Sequence, residues 1–332
     1  MAGHGGKAHE MGVRALGAFS GGLDSMLAAL VLGEQGIQVE AVTFESPFFQ
    51  GERGRLAAGR IGIPWRLVDF TDRIMALLRD PPSGFGGHFN PCIDCHAAMF
   101  SELFSIRSRE GHDFVFSGEV LGQRPMSQNR GSLNRVARLS GDPGHLLRPL
   151  SAGLLEPTEP EMEGLVDRSR LLDMSGRGRT RQMALAETYG ISYENPAGGC
   201  LLTEPGYSAR LRVLLDSPGL LTSLNARLVR HGRMFRLGVG AAGLVGRSEA
   251  DNAGLEELAA PGRTLVTAGF PGPTGVVLGS ASEPEIMLLC SLMVLYSRKF
   301  TGVEAAVRTL DGREYRVGPA DPETAESLIV KA

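Results

Sequence analysis

Six consecutive residues, Ser20-Gly21-Gly22-Leu23-Asp24-Ser25, place two glycines, two hydroxyls and a carboxylate in a stretch short enough to wrap one small anion. They follow the apolar run Ala15-Leu16-Gly17-Ala18-Phe19 and precede Met26-Leu27-Ala28-Ala29-Leu30-Val31-Leu32, so the expected order is strand, glycine turn, helix. Backbone N–H groups at such a turn and the positive end of the helix point at a phosphate. Ser20 and Ser25 add hydroxyl donors. Asp24 suits a phosphate site only together with a divalent cation, which its carboxylate would help hold. No Gly-Lys-Ser/Thr follows, which excludes the kinase-type phosphate loop.

Thiols are the second source of chemistry. Cys92 and Cys95, in Asn90-Pro91-Cys92-Ile93-Asp94-Cys95-His96, stand at the start of a helix expected from about Cys95 to Arg109. That position lowers thiol pKa and favours the thiolate. Cys200 closes the tight loop Asn195-Pro196-Ala197-Gly198-Gly199-Cys200, whereas Cys290 lies on an apolar helix and is expected in the core. Three readings suit Cys92, Cys95 and Cys200: a zinc site with His88 or His96 as fourth ligand, a thiol pair that resolves as a disulfide, and a [4Fe–4S] cluster with one open iron.

These groups need a scaffold. Arg14–Phe19, Gln38–Phe44, Trp65–Phe70 and Asp113–Phe116 are expected strands, with helices over Ser25–Gln35, Arg53–Ile61 and Asp72–Arg79 between them. Alternation of this kind predicts an α/β fold, a doubly wound parallel sheet with ligands at the strands' carboxyl ends. The Ser20 turn, Phe44-Glu45 and Gly118-Glu119 all fall there. Thr158-Glu159-Pro160-Glu161 predicts a capping box opening a helix over Met162–Leu172. Ser175–Arg181 is a basic loop before a helix over Gln182–Tyr189, and Gly206–Leu215 is a further helix. Asp216-Ser217-Pro218-Gly219 marks the expected boundary, giving domains over 13–217 and 218–332. The smaller C-terminal domain is expected to be α+β, with strands Thr264–Thr267 and Val276–Leu278, a helix over Glu285–Lys299, and a hairpin, Val303–Arg308 with Arg313–Val317, turning on Asp311-Gly312.

Composition sets the class. The 332 residues are 42% hydrophobic and 21% charged with net charge −3, which describes a globular chain with no global pull toward nucleic acid. Phosphate contacts must therefore come from local clusters: Arg177, Arg179 and Arg181, expected to bind RNA rather than ATP, and Arg227, Arg230, His231, Arg233 and Arg236, with Phe235 interleaved. A solvated helix face is the plain alternative for the second cluster. Met1–Gly12 lacks an apolar core and is expected to be a disordered leader, not a signal peptide. Ile286–Tyr296 is too short to span a bilayer, so a cytoplasmic protein is expected, with four cysteines used for metal or redox chemistry and not as a disulfide scaffold.

The Ser20–Ser25 string resembles the Ser-Gly-Gly-x-Asp-Ser signature of the ATP pyrophosphatase (PP-loop) superfamily, which splits ATP between the α- and β-phosphates and adenylates a substrate. The first 217 or so residues resemble the ATP-dependent tRNA thiouridine synthetases within it. Cys95-His96-Ala97-Ala98-Met99-Phe100 is loosely similar to their Cys-Asn-x-x-Ile-Lys-Phe element, with Met99 in place of the lysine and Cys92 as an addition. Ser117-Gly118-Glu119-Val120-Leu121-Gly122-Gln123 through Gln128 resembles a segment of the 4-thiouridine synthetases. Cys-x-x-Cys plus a distant cysteine is the arrangement of the iron–sulfur-dependent tRNA thiolases, which favours the cluster and leaves zinc as the alternative.

The resemblance implies an adenine nucleotide α-hydrolase-like fold, ATP with Mg²⁺, tRNA, and a sulfur donor (a cysteine desulfurase or sulfide). Asp24, Cys92, Cys95 and Cys200 would be catalytic. Ala18, Phe19, Ser20, Gly21, Gly22, Asp24, Ser25, Phe44, Gly118 and Gln123 would contact the nucleotide, and Cys92, Cys95 and Cys200 would hold the metal. A PP-loop adenylase acting on a small molecule is the rival. The C-terminal domain, a candidate RNA-binding module, faintly resembles that of the ribosome-quality-control tailing factors.

Overall fold

The computed structural model describes residues 12–124, 126–194, 199–217 and 219–331; the expected leader lies outside them apart from Gly12, as do Asn195–Gly198 of the Cys200 loop. The chain divides into two compact units, one of residues 1–86 and 91–199, the other of residues 87–90 and 200–332.

The first unit alternates β1 (Arg14–Ala18), α1 (Leu23–Gly33), β2 (Gln38–Glu45), α2 (Glu52–Ile61), β3 (Trp65–Asp69), α3 (Thr71–Arg79), α4 (Cys92–Glu110), β4 (Phe114–Ser117), α5 (Arg130–Leu139), β5 (Leu146–Leu147), α6 (Glu159–Met162) and α7 (Thr180–Thr188). Its five strands are ordered β3-β2-β1-β4-β5 and every pairing is parallel. Order reverses beside β1, so the crevice between the carboxyl ends of β1 and β4 is the switch point where α/β sheets bind ligands. Helices α1, α2 and α7 pack together, as do α3, α4 and α5, which makes the sheet doubly wound as expected. Helix α1 is buried along most of its length, and Met26, Leu27 and Leu32 join Phe114 and Phe116 in the core. Burial holds it there, since apolar area removed from water is the main favourable term in folding.

Two expectations fail in the unit. Helix α4 starts at Cys92, three residues early, so both thiols lie in its first turn. The expected helix over Met162–Leu172 does not form. Thr158 and Glu161 make the predicted capping box, but α6 stops after four residues. Gly164 has φ +75°, and the Leu165 and Val166 N–H groups both donate to Pro160 O, which folds the chain back on itself.

The second unit contains α8 (Pro205–Asp216), α9 (Ser223–Leu228), β6 (Arg233–Gly238), β7 (Ala241–Val245), α10 (Glu249–Leu258), β8 (Thr264–Ala268), β9 (Gly275–Gly279), α11 (Glu283–Leu295), β10 (Ala305–Thr309), β11 (Glu314–Val317) and α12 (Pro322–Leu328). Its six strands are ordered β11-β10-β8-β9-β7-β6, all antiparallel, and α11 buries Leu289, Cys290 and Met293 with Phe235, Val277 and Val307. Helix α8 joins this unit because Tyr207 OH donates to Ala226 O at 2.7 Å and Arg210 Nη1 to Val229 O at 2.7 Å, so the division falls before Cys200 and not at Asp216–Gly219. The β6–β7 hairpin is missing from the sequence reading, because its arginines masked a period-2 strand. The expected two-residue turn of the last hairpin is three residues long, 310–312, with Thr309 N–H donating to Arg313 O.

Candidate active site

The Ser20–Ser25 turn sits where β1 delivers it. Gly21 has φ +72°, and a Cβ there would meet Arg53 O at 2.4 Å, so no other residue fits. Gly118, at the end of β4, lies so close that its Cβ would meet the Asp24 carbonyl and Ser25 N at 2.6 Å. The end of β4 is thus packed directly against the backbone of the first turn of α1.

Gly22 N-caps α1 without any side-chain cap bond, which leaves the first-turn N–H groups of a buried helix for a ligand. Ser20 is exposed, while Ser25 Oγ donates to Gly22 O at 2.8 Å and so stabilises the loop itself. Ala18 pairs with Val42 and Ser117 across the sheet, and Phe19 is buried with its carbonyl accepting from Thr43 Oγ1 at 2.7 Å. The Phe44 ring is buried edge-on against Phe70, 5.3 Å between centroids, so only its backbone stands at the strand end.

Asp24 is held from the side. Gln123 Nε2 donates to Asp24 Oδ2 at 3.0 Å, and Arg179 Nη2 lies 3.6 Å from the same oxygen. Asp24 Oδ1 is buried with no hydrogen-bond partner among the described residues. Such an atom costs about 1–3 kcal/mol, and a divalent cation on it would remove that cost. The loop therefore fits magnesium-bound phosphate on its own geometry. Arg179 is one of the three arginines, with Arg177 and Arg181, expected to bind RNA. The three do not stand as one basic cluster: Arg179 faces Asp24 and Arg181 Nη2 pairs with Asp173 Oδ1 at 2.6 Å, leaving Arg177 exposed.

Cys92 and Cys95 stand at the first and fourth positions of α4, a spacing that puts them on one face. Cys95 is buried and Cys92 half-buried, and a thiol pair at a helix N-terminus has the donor chemistry of a soft metal site. Cys200 opens the second unit, half-buried, with Thr203 Oγ1 donating to its carbonyl at 2.7 Å. Cys290 is excluded from this chemistry: burial in the core pushes its thiol up to about 12.

Of the two candidate histidine ligands, His88 falls in the second unit. His96, four residues after Cys92 on α4, points Nδ1 at Glu119 Oε1, 3.1 Å away. The other oxygen of Glu119 accepts from Arg148 Nε at 2.9 Å. Burial alone would raise the Glu119 carboxyl, but the Arg148 guanidinium and the His96 contact outweigh it and hold it down at about 2. Sequence reasoning placed Glu119 at a strand end and in the Ser117–Gln128 segment but gave it no role, and it missed Arg148. A Ser-Gly-Glu at a buried strand's end, with Arg148-Pro149 following the next strand, was the available signal.

Because the folded-state value of Glu119 is depressed, its contribution to stability is present above the ordinary value of 4.5 and is lost as pH falls toward about 2. Glu119→Gln leaves Arg148 buried without its counter-charge and is expected to cost about 3–5 kcal/mol at neutral pH. Urea unfolding should show that gap narrowing steadily below pH 4.5. A gap independent of pH would mean that Glu119 is not ionised in the fold.

A separate cluster, Glu40, Glu110 and His112, gathers its ligand atoms within 4.8 Å, but Arg66 Nη1 and Nη2 donate to Glu110 at 2.7 and 2.6 Å and Arg66 Nε contacts Glu40. The guanidinium already supplies the positive charge, and the cluster ties strand starts together at the end of the sheet opposite the loop.

No protein-family model matches the chain. Among curated proteins it is similar to a tRNA-specific 2-thiouridylase of Syntrophus aciditrophicus, 28% identical over 159 residues, 43% of this chain and 42% of that protein. It is also similar to a tRNA-specific 2-thiouridylase of Methylorubrum extorquens, 24% identical over 257 residues, 70% and 63% of the two chains. A third relative, a "Probable tRNA sulfurtransferase" of Anoxybacillus flavithermus, is 32% identical over 146 residues, 41% and 35%. The chain spans less than two thirds of the length of each. A solved 4-thiouridine synthetase–RNA complex with bound ATP aligns at 21% identity and a TM-score of 0.36, over 55% of this chain and 54% of that one. The expected resemblance to tRNA thiouridine synthetases is thus borne out in sequence, on a doubly wound parallel sheet. Among the described residues no helix is long and apolar enough to cross a membrane.

Proposed function

We propose that this chain is an ATP-dependent sulfurtransferase that adenylates a uridine-type carbonyl of tRNA and replaces its oxygen with sulfur. The observation that carries this reading is the carboxylate Asp24, with one buried oxygen unsatisfied, set in an uncapped helix N-terminus at the switch point of the sheet. The sequence relatives supply the substrate class.

In the reaction, the carbonyl oxygen attacks the α-phosphorus of ATP and pyrophosphate leaves. Adenylation is needed because a uracil oxygen is a poor leaving group. A sulfur nucleophile then forms a bond to the ring carbon, the carbon–oxygen bond breaks, and AMP leaves with the oxygen. The chain's own part is to hold phosphates on the N–H groups of residues 20–25, to hold magnesium on Asp24, and to present thiolates at the start of α4. By the resemblance, Cys92, Cys95 and Cys200 would handle sulfur, with a [4Fe–4S] cluster supplying a site for sulfide and zinc as the alternative occupant. Persulfide or sulfide is the donor class.

RNA contact falls to the second unit. Arg227 is exposed on α9 and Arg236 on β6, with Arg230 and His231 in the turn between, so the cluster spans two elements and is not one solvated helix face. Phe235 is fully buried and Arg233 lies 4.6 Å over the Tyr296 ring, so neither is offered to a base. Replacing Arg227, Arg230 and Arg236 by alanine should flatten the salt dependence of tRNA binding by about two units. Identical slopes in a salt titration would move the RNA contact elsewhere.

The reading as a whole is tested by AMP release with purified protein, Mg-ATP and sulfide. Release that requires tRNA supports it. Equal release with a small metabolite and no RNA would favour the rival adenylase.

A further inference from the structure

The loop before α7 turns Arg179 toward the nucleotide turn, and its backbone (φ −116°, ψ 10°) caps a nine-residue helix that fixes where the side chain starts. Its Nη2 stands 3.6 Å from Asp24 Oδ2, too long for a hydrogen bond and far from the two-pronged geometry a settled Arg–Asp pair adopts. Both side chains are about three-quarters buried or more. Among the described residues each leaves one buried atom unsatisfied, Asp24 Oδ1 lacking a donor and Arg179 Nε lacking an acceptor. The two deficits are of opposite kind. A cation would complete the first and an anionic oxygen the second, and a magnesium-bound polyphosphate brings both.

We propose that Arg179 is an exchangeable counter-charge of the nucleotide turn. Without ligand its guanidinium stands in for the cation beside Asp24; when magnesium enters with a polyphosphate, the metal takes the carboxylate and the guanidinium passes to the phosphate oxygens. The proposal rests on the ATP reading above and gives that site its clamp on the departing pyrophosphate. The exchange keeps a positive charge beside Asp24 in both states, so the carboxylate never faces the anion bare. A planar fork suits a phosphate better than an ammonium does, which makes arginine the appropriate residue.

Calorimetric titration of the full chain tests this, with Mg²⁺ alone and with inorganic pyrophosphate in the presence of Mg²⁺. Arg179→Ala should bind magnesium pyrophosphate about 10- to 100-fold more weakly than the wild type, with Arg179→Lys between them. Arg179→Ala should bind Mg²⁺ alone more tightly, because a competing cation has gone; a merely structural arginine would not produce that sign. Arg179→Lys carries the comparison where the alanine variant does not fold. Equal pyrophosphate affinity in folded wild type and variant would overturn the proposal, and so would Mg²⁺ affinity that is unchanged or weaker. A wild type that binds neither magnesium pyrophosphate nor Mg-ATP would instead overturn the nucleotide reading, and the proposal with it.

Discussion

Asp24→Ala is expected to lower ATP cleavage by about 10³-fold, the scale on which removal of one preorganised charge-stabilising group acts. Little stability should be lost. The side chain is 20% exposed, and the loss of the Gln123 and Arg179 contacts to Oδ2 is offset by removal of Oδ1, which has no partner among the described residues. Far-UV circular dichroism and the melting temperature should therefore match the wild type while pyrophosphate release falls. Normal pyrophosphate release from a folded Asp24→Ala variant would remove Asp24 from the site.

The three cysteines outside the core are expected to behave as one unit. Anaerobic purification or reconstitution with iron and sulfide should give a brown protein whose broad visible absorbance is lost in Cys92→Ala, Cys95→Ala or Cys200→Ala. Cys290→Ala should keep the colour, because its thiol is fully buried in the second unit's core and pushed up to about 12. Stoichiometric zinc without iron after anaerobic reconstitution would replace the cluster with a zinc staple. Neither metal, with a disulfide between two of the three cysteines on oxidation, would point to persulfide chemistry.

What was legible in the chain was whatever depends on local pattern. Short apolar runs alternating with helices gave the parallel sheet nearly to the residue, and the glycines of the Ser20 turn announced the backbone conformation that Gly21 adopts at φ +72°. Less visible was whatever depends on residues distant in sequence. Arg179 stands in a basic string, and only folding brings it to Asp24, 155 positions earlier. Arg148 and Glu119 form a buried pair that no spacing rule announces. Errors of extent came from local competition: Gly164 ended a helix that the capping box had correctly begun, and the arginines of β6 looked like a charged helix face although Met234, Phe235 and Leu237 there are buried.

The most direct test of the central claim is mass spectrometry of tRNA nucleosides from a strain lacking this gene, complemented with wild type or with Asp24→Ala. The account predicts that one thiolated nucleoside disappears on deletion, returns with the wild type and does not return with the variant. An unchanged thionucleoside profile in the deletion strain would contradict it.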